Sequence, residues 1–171
     1  MSNTHKAAII YHKADWDGKL SNEVCRHFLR SSTVSDNVHS YGWDYGEPLP
    51  IPQVPWESYE QIYIVDLSVD ELMNRTELHD KIRWIDHHKS AIEKYGLLAL
   101  MGLRIDGVAA CRLCWAYHRN GGYSDLGTGA QMPDEPDLIY LAGIYDVWLK
   151  NNPRFEEAKD LQFGLNALTE E

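Results

Sequence analysis

The sequence predicts an α/β fold, a single domain over residues 1–171 with about five mainly parallel strands and helices on both faces. Three observations carry that expectation. Short apolar runs of strand length alternate with longer stretches of helical periodicity, the pattern of βαβ units and a parallel sheet. The first run, Ala7–His12, is nearly unbroken in its apolar character, as strands covered on both faces are. A length of 171 residues suits one domain with a full core.

Ala7–His12 (AAIIYH) reads as the first buried strand, too short for a helix. KADWDG after it reads as a loop, with Gly18 for tight backbone geometry. From Leu20 onward, Leu20, Val24 and Phe28 recur at helical spacing, Cys25 and Leu29 widen the stripe, and Lys19, Glu23, Arg26 and Arg30 lie opposite. Ser31–Asn37 is polar and turn-prone, and Asn37–Trp43 is expected as the second strand. Gly46–Pro55 holds four prolines and reads as a surface loop. Tyr59–Leu67 is the third strand, and Ser68 with Glu71 fits a capping box opening a helix over Asp70–His79.

Lys81–Asp86 is the fourth strand, followed by a short helix over Lys89–Tyr95 that Gly96 stops. Leu100–Ile105 is the fifth. Asp106 and Gly107 introduce a helix over Val108–Arg119, with Val108, Cys111 and Trp115 on one stripe and Leu113 and Ala116 beside it. Asn120–Pro133 reads as an exposed loop. Asp134 as N-cap and Pro136 in the first turn open a helix with Leu138, Leu141, Tyr145, Trp148 and Leu149 inward, stopped by Asn151, Asn152 and Pro153. A last helix covers Phe155–Leu168.

An apolar share of 44% with 25% charged residues is that of a folded globular chain rather than a disordered one. Apolar runs fall far short of the roughly 20 residues needed to span a bilayer. MSNTHK also lacks the apolar region of a secretory signal, so a cytoplasmic protein without membrane contact is expected. Cys25, Cys111 and Cys114 form no even disulfide framework. The C-x-x-C of Cys111 and Cys114 lies inside a helical pattern and reads as two small core residues rather than a zinc or redox site. A net charge of −10 argues against long duplex nucleic acid as partner and leaves small anions bound through metal.

Chemistry concentrates where the apolar runs end. KIRWIDHHKS (Lys81–Ser90) finishes in Asp86, His87 and His88; the first run finishes in His12, followed by Asp15 and Asp17; the third contains Asp66. In an open parallel sheet the carboxyl ends of neighbouring strands face one crevice. Asp146 lies among Tyr145, Val147, Trp148 and Leu149, where a buried carboxylate is costly without a cation. Each residue has a blander role: Asp15 and Asp17 as turn residues, His12 as a surface-facing strand end, Asp66 as a helix-entry carboxylate. Jointly they point to a metal site. Carboxylates mixed with imidazoles suit Mn²⁺, Mg²⁺ or Zn²⁺, with Mn²⁺ first. Two such ions roughly 3.5–4 Å apart support in-line attack on phosphorus, hence metal-assisted phosphoester hydrolysis. His5, His27, His39, His79 and His118 show no such convergence and read as surface residues. Lys13, Lys89, Arg104 and Arg112 are phosphate-contact candidates, with solvated surface as the competing account.

These same residues resemble a known family. IDHHKS is similar to the signature of the DHH phosphoesterases; Tyr11–Gly18 (YHKADWDG) resembles their first motif, Ile64–Ser68 (IVDLS) their second and Leu141–Trp148 (LAGIYDVW) their fourth. The segment from Ile105 (IDGVAACRLCWAY) through Trp148 is similar to the oligoribonuclease (nanoRNase) and cyclic-nucleotide phosphodiesterase branch. The resemblance spans residues 7–168 and implies a Rossmann-like DHH catalytic domain. It further implies His12 and Asp15 on one cation, Asp17, His87 and Asp146 on the other, and Asp66 bridging. His88 would contact the substrate phosphate and Asp86 would orient an imidazole; Lys89 and Arg104, from the cations above, are the substrate-binding candidates read from the sequence itself. The substrate would be a short oligonucleotide or a cyclic nucleotide, cleaved to nucleoside monophosphates.

Many DHH enzymes carry a second domain with a glycine-rich motif ending in histidine, and Gly121–Gly122 is not that motif. A compact catalytic domain, a homo-oligomer or second subunit that completes the site, and a fragment are all open expectations. Two other functions stand beside the hydrolase. DWDG read as the Asp-x-Asp-Gly of an aspartyl-phosphate phosphatase makes Asp15 a covalent nucleophile, although Lys19 replaces the usual hydroxyl residue and Asp86, His87 and His88 go unexplained. A nucleotide-binding module that keeps the ligands without turnover is the other.

Overall fold

A computed structural model of the chain describes residues 6–31, 37–48, 54–119 and 126–168. His5 and Gly121–Gly122 lie outside the described residues, as do parts of the expected loops Gly46–Pro55 and Asn120–Pro133. Five strands, β1 (Ala7–His12), β2 (Val38–Trp43), β3 (Gln61–Val65), β4 (Ile82–Asp86) and β5 (Met101–Arg104), form one sheet in the order β2-β1-β3-β4-β5. Every pairing is parallel. The α/β fold and its parallel sheet are therefore as the sequence predicts.

Alternation along each strand divides the core between two faces. Ala7, Ile9, Tyr63, Val65 and Ile85 pack with α1 (Trp16–Ser31), α4 (Ala110–His118) and α5 (Asp137–Asp146). Ala8, Ile10, Ile62, Ile64, Ile82 and Trp84 pack on the opposite face with α2 (Asp70–Met73), α3 (Lys89–Tyr95) and the turns beside them. A smaller cluster around Tyr140, Ile144 and Phe155 fastens α6 (Phe155–Ala167) to α5. Among the described residues no helix is long and apolar enough to cross a membrane.

Several elements depart from expectation for identifiable reasons. α1 begins at Trp16, so Asp17 and Gly18 are helical rather than loop residues. The capping box at Ser68 does not form: α2 has no side-chain cap and is a single turn, and the Ser68 N–H donates to Tyr45 Oη at 3.0 Å instead. α5 starts after Pro136 and ends at Asp146, leaving Leu138 and Trp148, expected inward, exposed. Arg112 is no phosphate contact; it is buried on α4, where its Nε and Nη2 donate to Glu135 at 2.7 and 3.0 Å. His118 is no surface residue, stacked between Phe28 and Tyr63. Cys25, Cys111 and Cys114 are free and buried, as core residues should be.

Candidate metal centre

Chain order reverses between β1 and β3, the place in an open sheet where a crevice opens at the carboxyl ends. His12 closes β1, Asp66 directly follows β3, and Asp86 closes β4 next door. α1 then folds back over His12. A Cβ on Gly18 would stand 1.9 Å from the His12 carbonyl oxygen, so only glycine lets the helix start this close. Asp15 caps that helix, its Oδ1 accepting the Gly18 N–H at 2.9 Å.

Asp17 is buried, and its two oxygens accept the backbone N–H groups of Ala110 and Cys111, each at 2.7 Å. These are the first amides of α4, where a negative charge is favoured and the orphan N–H groups need acceptors. Each oxygen keeps a second lone pair for another partner.

Asp66 is the least comfortable residue of the fold. It is 1% exposed, neither carboxylate oxygen has a hydrogen-bond partner among the described residues, and its φ of 60° lies in the left-handed region. A buried carboxylate without donors is costly, and strained backbone of this kind collects at functional sites.

Imidazoles fill the space between the carboxylates. His87 Nε2 lies 3.5 Å from Asp17 Oδ2, 3.3 Å from Asp66 Oδ1 and 3.4 Å from Asp146 Oδ2. His12 Nδ1 lies 2.9 Å from Asp15 Oδ2 and 3.6 Å from Asp66 Oδ2, close in charge but not aligned as a hydrogen bond. On its other side, His12 Nε2 is 3.1 Å from Asp44 Oδ1. Asp86 Oδ1 accepts the N–H groups of His87 and His88 at 2.8 and 3.1 Å and pairs with His88 Nδ1 at 2.8 Å, which fixes the turn and the second imidazole together.

Electrostatics record the crowding. Burial first, then the charge of Asp66, pushes Asp17 up to about 7. Burial does the same to Asp66 and to Asp146, each also to about 7. Asp15 first, then Asp66, pushes His12 up to about 11. The hydrogen bond to Asp86 pushes His88 up to about 9. Despite its own burial, Asp15 is drawn below the usual carboxylate range by His12 and the Gly18 N–H. The crowding thus favours charged imidazoles at His12 and His88 and neutral carboxyls at Asp17, Asp66 and Asp146.

The donor set fits such a cation. His12, Asp15 and Asp66 each bring a ligand atom within 4.8 Å of the others, as do Asp17, His87 and Asp146, and Asp66, His87 and His88. Ligand atoms about 2.0–2.2 Å from a divalent ion stand roughly 2.8–3.6 Å apart in octahedral or tetrahedral shells. The contacts of His87 Nε2, at 3.3 to 3.5 Å, fall in that range. These Asp/His groups are thus positioned to hold a metal ion.

Of the residues singled out in the sequence, His12, Asp15, Asp17, Asp66, Asp86, His87, His88 and Asp146 come together here. Lys89 is exposed and opens α3 immediately after His88. Arg104 does not reach the cluster: its guanidinium donates to the carbonyls of Trp84, Leu100 and Met101, upstream of the strand ends, and lies over the Trp84 ring. Lys13 pairs with Glu47 at 2.7 Å. Asp44 was missed: it directly follows β2 as the other acids follow their strands, but β2 is a mixed polar and apolar edge strand, which weakens that signal. Comparison with protein-family models, with curated proteins and with solved structures finds no significant match.

Proposed function

We propose that the chain is a divalent-metal-dependent phosphodiesterase of the DHH type, acting on short oligonucleotides or cyclic nucleotides and releasing nucleoside monophosphates. The observation that carries this reading is Asp66, a buried carboxylate with neither oxygen hydrogen-bonded among the described residues, shared by the group of His12 and Asp15 and the group of His87 and His88. A shared carboxylate between two such groups is what a pair of ions needs, and the carboxylate-rich mixture with few imidazoles favours Mn²⁺, with Mg²⁺ second. When bound, the ions would polarise the phosphoryl group and acidify the attacking water.

The remaining roles belong to the chain itself. His12, Asp15 and Asp66 would hold one cation, and Asp17, His87 and Asp146 the other, with Asp66 beside His87 Nε2 available to both. Asp44 engages His12 Nε2, which leaves Nδ1 to face Asp15 and Asp66. His88 commits Nδ1 to Asp86 and is half-exposed at the rim, so Nε2 is the atom available to donate to a phosphoryl oxygen. Lys89 is the exposed cation next to it in the chain.

Chromatography of products from a panel of linear dinucleotides, cyclic mono- and dinucleotides, adenosine bisphosphate and pyrophosphate tests the reading. Cleavage with Mn²⁺ that stops on adding chelator supports it. Nucleotide binding without product from any member, across Mn²⁺, Mg²⁺ and Zn²⁺, would instead make the chain a binding module.

A further inference from the structure

A cavity of about 320 Å³ adjoins the centre, its floor shared with Asp15, Asp17 and Asp146 and its walls formed by Trp16, Tyr145, Trp148 and Gln162. Trp148 is the anomaly in that wall. Leu149 N–H donates to the Ile144 carbonyl and Trp148 N–H to the Tyr145 carbonyl, both at 3.0 Å, the two bonds of a Schellman motif closing α5. Trp148 therefore occupies the position after the C-cap that glycine usually takes, and its φ of 53° is left-handed. A bulky side chain is strained there.

Packing explains only part of the indole. Trp148 meets Tyr145 and Phe155 edge to face, at centroid distances of 5.2 Å each, yet remains 50% exposed. An ammonium accompanies each tryptophan of the wall: Lys150 Nζ lies 5.1 Å from the Trp148 centroid and Lys19 Nζ 4.9 Å from that of Trp16. Trp16 is itself held by its Nε1–H donating to Asn166 Oδ1 at 3.1 Å, and Gln162 presents an amide beside it. Aromatic faces, nearby cations and one amide match a nucleobase carrying a phosphate, because base–aromatic stacking tolerates any base while the lysines attract the backbone.

We infer that this cavity is the subsite for the nucleobase next to the reacting phosphate, with Trp148 as its stacking platform. The inference rests on the phosphodiesterase reading and names what that site selects: nucleosidic esters over phosphoesters without a base. Trp148 is here a specificity residue, its backbone fixed by the two Schellman bonds and its indole placed against the cavity by Tyr145 and Phe155.

Calorimetry on the Mn²⁺-loaded protein with AMP and with ribose 5-phosphate tests it apart from turnover. AMP should bind about tenfold more tightly or better, the scale of one base–aromatic stack. Trp148→Gly, which suits the left-handed backbone and should fold, should shrink that preference to less than about threefold, and Trp148→Tyr should restore most of it. Equal affinities, undetectable AMP binding at millimolar concentration, or a preference that survives Trp148→Gly would overturn the inference. Dinucleotide turnover is scored separately. Cleavage without the AMP preference removes the subsite alone; the preference without cleavage removes the hydrolase reading and leaves the subsite.

Discussion

Asp17 Oδ1 accepts the backbone N–H of Cys111 at 2.7 Å across 94 residues of sequence. One carboxylate therefore closes the amino end of α4 and belongs to a candidate ligand group at the same time. Asp17→Asn keeps one acceptor and Asp17→Ala keeps none. With chelator present, the alanine variant should be less stable than the asparagine variant by about 1–2 kcal/mol in urea denaturation. Both should lose Mn²⁺-dependent stabilisation.

Asp66 makes the opposite prediction for stability. Its carboxylate is buried, with imidazoles nearby but neither oxygen in a hydrogen bond among the described residues, and asparagine accepts a left-handed backbone readily. Asp66→Asn should stabilise the chelator-treated protein at pH 8 by on the order of 4 kcal/mol, because the cost of ionising a carboxyl raised to about 7 is removed. The same variant should gain nothing from Mn²⁺ and hydrolyse nothing. Denaturation with and without metal measures both halves.

The pH dependence of the metal-free protein follows in sign. Asp17, Asp66 and Asp146 keep their protons up to about 7 in the fold but ionise near 3.8 when unfolded, so stability falls as pH rises across that window. His12 and His88, raised to about 11 and about 9 from 6.5, contribute stability present below 6.5 and lost as pH climbs through those values. All five groups push the same way. Thermal midpoints in chelator should decline from about pH 4 upward, and saturating Mn²⁺ should flatten or reverse the decline, since ionised carboxylates are then paired.

Asp44 lies beside His12 Nε2 and in none of the three ligand groups. Asp44→Ala should weaken Mn²⁺ binding by about 10- to 100-fold, the usual effect of losing a carboxylate that orients a histidine ligand. Its metal-free melting midpoint should barely move, because Asp44 is partly exposed. Calorimetric titration of the variant checks both.

The sheet was legible because its central strands β1, β3 and β4 are short and mainly apolar between turn-rich segments, and the site because His12, Asp66, Asp86 and His87 sit where those runs stop. What escaped depends on partners far along the chain. Asp15, Asp17 and Gly18 have turn composition, and only the close approach to His12 and the bond from Gly18 to Asp15 reveal a helix start. Ser68 and Glu71 satisfy a capping pattern that Tyr45 pre-empts. Arg112 and Arg104 look like free cations until Glu135 and three backbone carbonyls are seen to claim them. The strain at Trp148 has no sequence signature at all, since a tryptophan after a helix reads as core.

Anomalous scattering from a crystal soaked in Mn²⁺ tests the central claim most directly. Two peaks about 3.5–4 Å apart are expected, one among His12, Asp15 and Asp66 and the other among Asp17, His87 and Asp146, with Asp66 touching both. No peak at these residues, or manganese bound only elsewhere on the surface, would contradict it.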